Sequence, residues 1–166
     1  MEKIKLVIAD DHHIFRKGIL SIVSEDTGIE VTGEASNGDD ALRLITEINP
    51  DIAILDIDMP GLSGLDVARK VKAQKLATKI VILTIHKDKE YFDEALELDI
   101  KAYVLKESIA NDLLDCIKKV GAGDYYISPS ISGYLVKRNS SEGSNSGLKL
   151  LTASELQILR LIAENK

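Results

Sequence analysis

Short runs of apolar residues alternate along this chain with segments in which apolar residues recur every three or four positions. The runs predict buried β-strands, and the recurring pattern predicts amphipathic helices. The predicted strands lie at about 4–9, 30–35, 51–56, 80–84 and 101–105, with a boundary error of a few residues. A strand followed by a helix, repeated five times, predicts a doubly wound α/β fold with a parallel sheet.

The five helices are predicted near 13–25, near 38–48, from 63 to 72, and after residues 88 and 108. Ser63 and Asp66 predict a capping box at the start of the third helix. Strands that are apolar throughout are typical of a sheet with helices on both faces. The second strand instead alternates between apolar and polar residues, so we predict that it lies at an edge.

Four of the predicted strands end in residues suited to phosphate or to a hard cation. The first strand runs into Asp10 and Asp11, the third into Asp56, the fourth into Thr84 and the fifth into Lys106. The carboxyl ends of parallel strands meet at one edge of the sheet, where open α/β folds bind ligands. In the order 2-1-3-4-5 of such sheets, strands 1 and 3 are neighbours beside the point where the winding reverses. We therefore expect these side chains to converge on one site.

Three carboxylates at one site repel each other, and a divalent cation would relieve that repulsion. Oxygen-only ligands favour Mg²⁺ over a transition metal. We predict that Asp10 and Asp11 hold the ion. Asp56 and the backbone carbonyl of Asp58 are further predicted ligands. Lys106 adds one positive charge, so that ion and ammonium together balance the three acids.

Such a site favours transfer of a phosphoryl group to a carboxylate, by positioning and charge neutralisation. Asp56 is the predicted acceptor, because aspartate is an accepted covalent carrier of phosphoryl groups. Lys106 is predicted to bind a phosphoryl oxygen, and Thr84 to hydrogen-bond the product. Asp58 and His86 each follow a site residue by two positions. We predict that they overhang the site and tune the access of water.

Each of these residues taken alone has an ordinary structural explanation, such as a helix cap or a turn, and only their joint occurrence argues for a site. His12 and His13 lack the spacing of metal ligands, so we predict a solvated helix start there. Cys116 is the only cysteine, which excludes an internal disulfide. It falls in a predicted helix, where we expect it to pack rather than to act as a nucleophile.

The composition and the first residues argue against a nucleic-acid-binding surface, a secretory signal and a membrane span. The net charge of −6 and the scarcity of aromatic residues argue against a nucleic-acid surface on the chain as a whole. The first residues lack the apolar region of a signal peptide, and no run approaches the roughly 18 apolar residues of a membrane span. We therefore expect a cytoplasmic protein that does not enter the membrane.

The ordered set of strand-end residues resembles the receiver domain of two-component response regulators, which has a flavodoxin-like (βα)5 fold. The matching residues are Asp10-Asp11, Asp56 followed by Met59-Pro60-Gly61, Thr84 and Lys106. The resemblance assigns residues 1–124 to such a domain, with Glu107 at a position where the family often has proline. It implies that a sensor histidine kinase, or a small phosphodonor, phosphorylates Asp56 with Mg²⁺.

The resemblance also implies a switch. Thr84 would move toward the phosphoryl group and Tyr103 would turn inward, which would alter the face around the fourth and fifth helices. A homodimer formed on phosphorylation is the expected consequence. The domain would catalyse only its own phosphorylation and dephosphorylation, and so would not be an enzyme in the usual sense.

Beyond residue 124 the pattern changes. We predict a short extra helix within 125–138, starting at Ser128-Pro129, and a flexible linker at 139–149, which is polar and rich in glycine. Residues 150–166 predict one amphipathic helix and resemble the opening of a LuxR/NarL-type helix-turn-helix domain. The resemblance implies a transcriptional regulator that contacts DNA only through the rest of that domain, which we expect to be missing from this sequence.

Two other functions remain open on the residues alone. Asp56-Ile57-Asp58 after an apolar strand resembles the first motif of haloacid-dehalogenase-type phosphatases, but Asp10 and Asp11 would then be unexplained. Pro60 also stands where that motif has threonine or valine. The second alternative is an interaction module of the same fold that acts without phosphorylation. Its mark would be a missing acid, threonine or lysine, and none is missing.

Overall fold

A computed structural model of the protein describes residues 2–129 and residue 131. Strands and helices alternate along the chain, as the sequence predicts. The strands are β1 (Ile4–Ala9), β2 (Ile29–Ala35), β3 (Ile52–Asp56), β4 (Lys79–Thr84), β5 (Ala102–Leu105) and β6 (Tyr126–Ile127). The α-helices are α1 (His13–Val23), α2 (Gly38–Ile48), α3 (Gly64–Ala73), α4 (Lys89–Glu97) and α5 (Ile109–Gly121). A 3₁₀ turn, Lys106–Ser108, connects β5 to α5.

The strands form one sheet in the order β2-β1-β3-β4-β5-β6, and every neighbouring pair is parallel. The predicted order 2-1-3-4-5 is confirmed, and β2 lies at an edge as predicted. The strand β6, which pairs with β5, was not predicted from the sequence. A strand of two residues is too short for any periodicity to reveal it.

The segments predicted after residue 124 are described only in their first part. Residues 129 and 131 are helical, at the predicted start of the extra helix. The rest of that helix, the linker at 139–149 and the helix at 150–166 lie outside the described residues. No helix in the described part of the chain has the length and apolar character needed to cross a membrane.

Two hydrophobic cores cover the two faces of the sheet, and alternate residues of each central strand enter opposite cores. In β1, Leu6 and Ile8 belong to the core shared with α1 and α5, whereas Val7 and Ala9 belong to the core shared with α2, α3 and α4. Burial on both faces explains why the central strands are almost wholly apolar. The polar residues that follow them are thereby confined to the strand ends.

The start of α3 is held directly against the end of β3. The predicted capping box is present: Asp66 donates its backbone N–H to Ser63 Oγ at 3.1 Å, and the Ser63 N–H donates to the Asp66 carboxylate at 3.1 Å. At Gly64, a Cβ atom would lie 2.3 Å from the carbonyl oxygen of Asp56. Only glycine allows this approach, which keeps the loop after Asp56 short and closely packed.

Candidate functional site

Two buried carboxylates lie side by side where β1 and β3 end. Asp10 is 1% exposed and Asp56 is 3% exposed. Asp11 and His12 follow on the loop into α1, and one ligand atom from each of these four residues lies within 4.8 Å of the other three. The adjacency of β1 and β3 in the sheet therefore brings together residues that are more than forty positions apart in the sequence.

Lys106 reaches both buried acids from the end of β5. Its Nζ lies 2.8 Å from Asp10 Oδ2 and 3.2 Å from Asp56 Oδ2, and it stands over the ring of Phe15 at 4.5 Å. Burial disfavours the ammonium, but the hydrogen bond to Asp10 and the charges of both acids outweigh that effect and raise the pKa of Lys106. The lysine is therefore a permanent cation within the acidic site.

The environment of Asp56 disfavours its charge. Burial, and then the neighbouring charge of Asp10, raise the pKa of Asp56 to about 6, against the opposing effect of Lys106. The ordinary value for aspartate is 3.8. A carboxylate held in this way is ionised at neutral pH but stabilised by any further positive charge that enters the site.

The hydroxyl groups of Thr84 and Tyr103 both meet the backbone of His86. The His86 N–H donates to Thr84 Oγ1 at 3.0 Å, and the Tyr103 hydroxyl donates to the His86 carbonyl at 3.0 Å. Tyr103 is buried, with its ring edge-on to Phe92 at 5.3 Å. Burial raises the pKa of Tyr103 above its ordinary value, so its hydroxyl keeps its proton. The Tyr103 side chain thus lies inward in this structure.

Asp58 and His86 lie on two different loops, which follow β3 and β4. His86 Nε2 lies 2.6 Å from Asp58 Oδ2, and the imidazole packs against Tyr91 with ring centroids 4.7 Å apart. The backbone N–H of Asp58 donates to Asp56 Oδ1 at 3.3 Å. The two residues predicted to overhang the site therefore contact one another.

His12 was predicted to lie at a solvated helix start and not to be a ligand, but the structure places its ring beside Asp10 and Asp11. Its Nδ1 lies 3.0 Å from Asp11 Oδ1 and 3.3 Å from Asp10 Oδ1, while its side chain stays 66% exposed, as a solvated helix start would be. Arg16, one turn further on, donates to the Asp10 carbonyl oxygen at 2.6 Å. Ligand spacing along a helix could not reveal His12, because the turn after Asp10 folds it back.

Comparison with known proteins agrees with this geometry. Residues 6–118 match the family of the response regulator receiver domain. The chain belongs to this family. It is 31% identical to the transcriptional regulatory protein DegU of Brevibacillus brevis, over 98% of this chain and 75% of that protein. It is 36% identical to the oxygen regulatory protein NreC of Staphylococcus carnosus, over 96% of this chain and 77% of that relative.

Solved structures give the same result. A DNA-binding response regulator of the LuxR family from Staphylococcus aureus superposes with a TM-score of 0.68 at 38% identity, over 70% of this chain and 98% of that one. The receiver domain is thus homologous to those of LuxR/NarL-type response regulators. These matches do not favour the phosphatase alternative, and the family is not one of classical enzymes.

Proposed function

We propose that this protein is a phospho-accepting response regulator and that Asp56 is the acceptor. The observation that carries the proposal is the placement of Asp56. It is buried beside Asp10, 3.2 Å from the Lys106 ammonium, at the end of a strand in a receiver-family chain. An acid in that position is reactive toward phosphorus and is shielded from bulk water.

The acidic cluster fits a hard divalent cation. We propose that Asp10, Asp11 and Asp56 hold Mg²⁺ through carboxylate oxygens and that Asp58 contributes its backbone carbonyl. Burial, and then the charge of Asp10, raise the pKa of Asp56, and a bound cation would relieve the repulsion between these two acids. When bound, the ion supplies positive charge to the oxygens of the phosphoryl group.

The transfer requires one new bond at the acceptor. An oxygen of Asp56 attacks phosphorus, the bond from phosphorus to the donor atom breaks, and the leaving group departs with the electron pair. Lys106 stabilises a phosphoryl oxygen by its charge, and the Thr84 hydroxyl hydrogen-bonds the product. In dephosphorylation a water oxygen attacks phosphorus and the bond from phosphorus to Asp56 breaks, which releases inorganic phosphate and returns the carboxylate. Asp58 and His86 would tune the access of that water.

We propose that the Thr84 hydroxyl and the inward Tyr103 form the switch. Movement of Thr84 toward the phosphoryl group would release its hydrogen bond from the His86 N–H, which holds it in this structure. The Tyr103 hydroxyl would keep the next part of the loop in place. The movement of Thr84 would alter the face around α4 and α5, and homodimerisation would follow.

An apolar groove beside the site is suited to the phosphodonor protein. Ile14 is 86% exposed and Ile85 is 68% exposed, and the groove between them is lined also by His12, Gly18 and Lys106. A donor must bring phosphorus into contact with Asp56, so a protein donor must cover this rim. We propose that a sensor histidine kinase in the cytoplasm docks here through an apolar surface of its own.

We propose that the output of this receiver is control of transcription. The similar protein DegU is named a transcriptional regulatory protein, and the matching Staphylococcus aureus structure is described as DNA-binding. The net charge of −6 disfavours binding of the DNA backbone by the chain as a whole. DNA contact would therefore be made by the rest of a helix-turn-helix domain, of which residues 150–166 resemble the opening.

Incubation with acetyl phosphate and Mg²⁺, followed by intact-mass measurement, tests the proposal. We expect the protein to gain one hydrolytically labile phosphoryl group, and Asp56→Asn to gain none. The matched control is Asp51→Asn at the other end of β3, which should react like the wild type. Equal uptake by Asp56→Asn would refute the proposal. Rapid turnover of a generic phosphate ester would instead support the phosphatase alternative.

A further inference from the structure

The side chains of Asp58 and His86 form a bridge between two loops of the site. The two residues are 28 positions apart, yet His86 Nε2 lies 2.6 Å from Asp58 Oδ2. An ionised carboxylate can only accept hydrogen bonds, so Nε2 carries a hydrogen and donates it. The bridge connects the loop after β3, the strand that ends in the proposed acceptor, with the loop after β4, the strand that ends in Thr84 of the proposed switch.

At one end of the bridge, the backbone of His86 holds both residues of the proposed switch. Its N–H donates to Thr84 Oγ1, and its carbonyl accepts from the Tyr103 hydroxyl, each at 3.0 Å. Thr84 is 0% exposed and Tyr103 is 2% exposed. Because both bonds meet at one residue, the position of the His86 backbone determines where the two buried hydroxyl groups are held.

At the other end, the bridge reaches the proposed acceptor. The backbone N–H of Asp58 donates to Asp56 Oδ1 at 3.3 Å. Hydrogen bonds therefore lead from the Asp56 carboxylate through Asp58 and His86 to Tyr103. This continuous set of contacts predicts that Asp56 and Tyr103 are energetically coupled, and double-mutant cycles test that prediction.

We infer that the Asp58–His86 hydrogen bond holds the β4–α4 loop so that Tyr103 is turned inward before Asp56 is phosphorylated. This inference rests on the proposed function, which makes Asp56 the acceptor and Thr84 and Tyr103 the switch. His86 is in this account a positioning residue. Tuning of water access would require only that Asp58 and His86 overhang the site, whereas coupling requires that they bond to each other.

The His86 amide proton reports the bridge, because it is held by Thr84 Oγ1. We would measure its hydrogen exchange by NMR in the unphosphorylated 166-residue chain, for the wild type, Asp58→Ala, His86→Ala and the double variant. Each single variant should exchange roughly fivefold faster, the scale of a partly exposed ion pair. The double variant should be no faster than either single one, and 3-fluorotyrosine at position 103 should show a second environment by ¹⁹F NMR in all three.

His86→Gln separates the hydrogen bond from ring packing on Tyr91. A glutamine amide nitrogen can reach the position of Nε2 and donate to Asp58, but it has no ring. We expect exchange at residue 86 in this variant to return to within about twofold of the wild type, a smaller change than the loss of a surface pair produces. His13→Ala, a histidine outside the bridge, is the control and should match the wild type.

Additive effects of the two alanine substitutions, or exchange in His86→Gln as fast as in His86→Ala, would overturn the inference. Failure of the proposed function is seen separately, by intact mass. If the wild type takes up no phosphoryl group from acetyl phosphate, Asp56 is not an acceptor and the coupling has no switch to serve. If the wild type is phosphorylated, the exchange rates at residue 86 and the ¹⁹F spectra of position 103 together decide whether the bridge positions Tyr103.

Discussion

The two aspartates that flank β3 lie in opposite environments. Asp51, directly before the strand, is exposed and accepts the backbone N–H of Lys5 at 2.8 Å. Asp56, at the other end, is 3% exposed and lies beside Asp10 and Lys106. Burial in this crowded site raises the pKa of Asp56 to about 6. The comparison teaches that position in the sheet, and not residue type, makes one of these carboxylates a candidate for chemistry.

Two lysines at opposite ends of the parallel strands, Lys79 and Lys106, also lie in different environments. Lys79, at the start of β4, donates from Nζ to the carbonyl oxygen of Gly121 at 3.3 Å. Lys106 pairs with two buried carboxylates. Loss of a hydrogen bond to a neutral, exposed carbonyl should change the free energy of unfolding little. Loss of one buried charge leaves the opposite buried charge unpaired, which is strongly destabilising. Substitution of each lysine, followed by measurement of the free energy of unfolding, therefore tests the comparison.

Lys106→Met should have the largest effect on stability. It leaves Asp10 and Asp56 buried without a counter-charge, so we expect the free energy of unfolding to fall by about 2 kcal/mol at neutral pH. Lys79→Met should change it by less than about 0.5 kcal/mol. Urea unfolding in the presence of a chelator measures both, and added Mg²⁺ should restore part of the loss. Equal effects of the two substitutions would break the comparison.

Asp56→Asn should have a smaller effect of the opposite sign. Because the folded state raises the pKa of Asp56, it binds more protons than the unfolded chain between pH 3.8 and about 6. The wild type therefore loses stability as the pH rises through that window. Removal of the charge should stabilise the protein at neutral pH by about 1–2 kcal/mol, after allowance for solvent screening. Lys106 would retain its contact with Asp10.

The pH dependence and a control sharpen this prediction. Well below pH 3.8 the wild type and Asp56→Asn should be equally stable, because Asp56 is then protonated in both the folded and the unfolded state. Asp51→Asn should stay within about 0.5 kcal/mol of the wild type at every pH, because an asparagine oxygen can still accept the Lys5 N–H. Denaturant unfolding of metal-free protein across this range decides it. A constant difference between Asp56→Asn and wild type would contradict the electrostatic explanation.

The fold was largely predictable because its signals are periodic. Apolar runs predicted four of the five longer strands, and the alternation of apolar and polar residues predicted β2 and its place at the edge. The two residues of β6 escaped because their pairing depends on backbone contacts, such as the Tyr126 N–H donating to the Lys101 carbonyl at 2.9 Å. A pair of residues carries no period from which such a contact could be read.

The site was predictable only in outline. Strand ends placed the acids, Thr84 and Lys106 at one edge, because a parallel sheet leaves no alternative once the strands are assigned. The approach of His12 to the acids depends on how one turn folds back. The Asp58–His86 contact depends on two loops reaching each other across 28 positions. Side-chain contacts between loops arise from tertiary packing, which the spacing of residues along the chain does not predict.

Location of the phosphoryl group tests the central claim most directly. Borohydride reduces an aspartyl phosphate to homoserine and leaves free aspartates unchanged, so reduction after treatment with acetyl phosphate and Mg²⁺ marks the acceptor for peptide mapping. The account predicts homoserine at position 56, with Asp10, Asp11 and Asp51 unmodified. Homoserine at another aspartate, or a stable phosphate on a serine, threonine or histidine in place of Asp56, would contradict it.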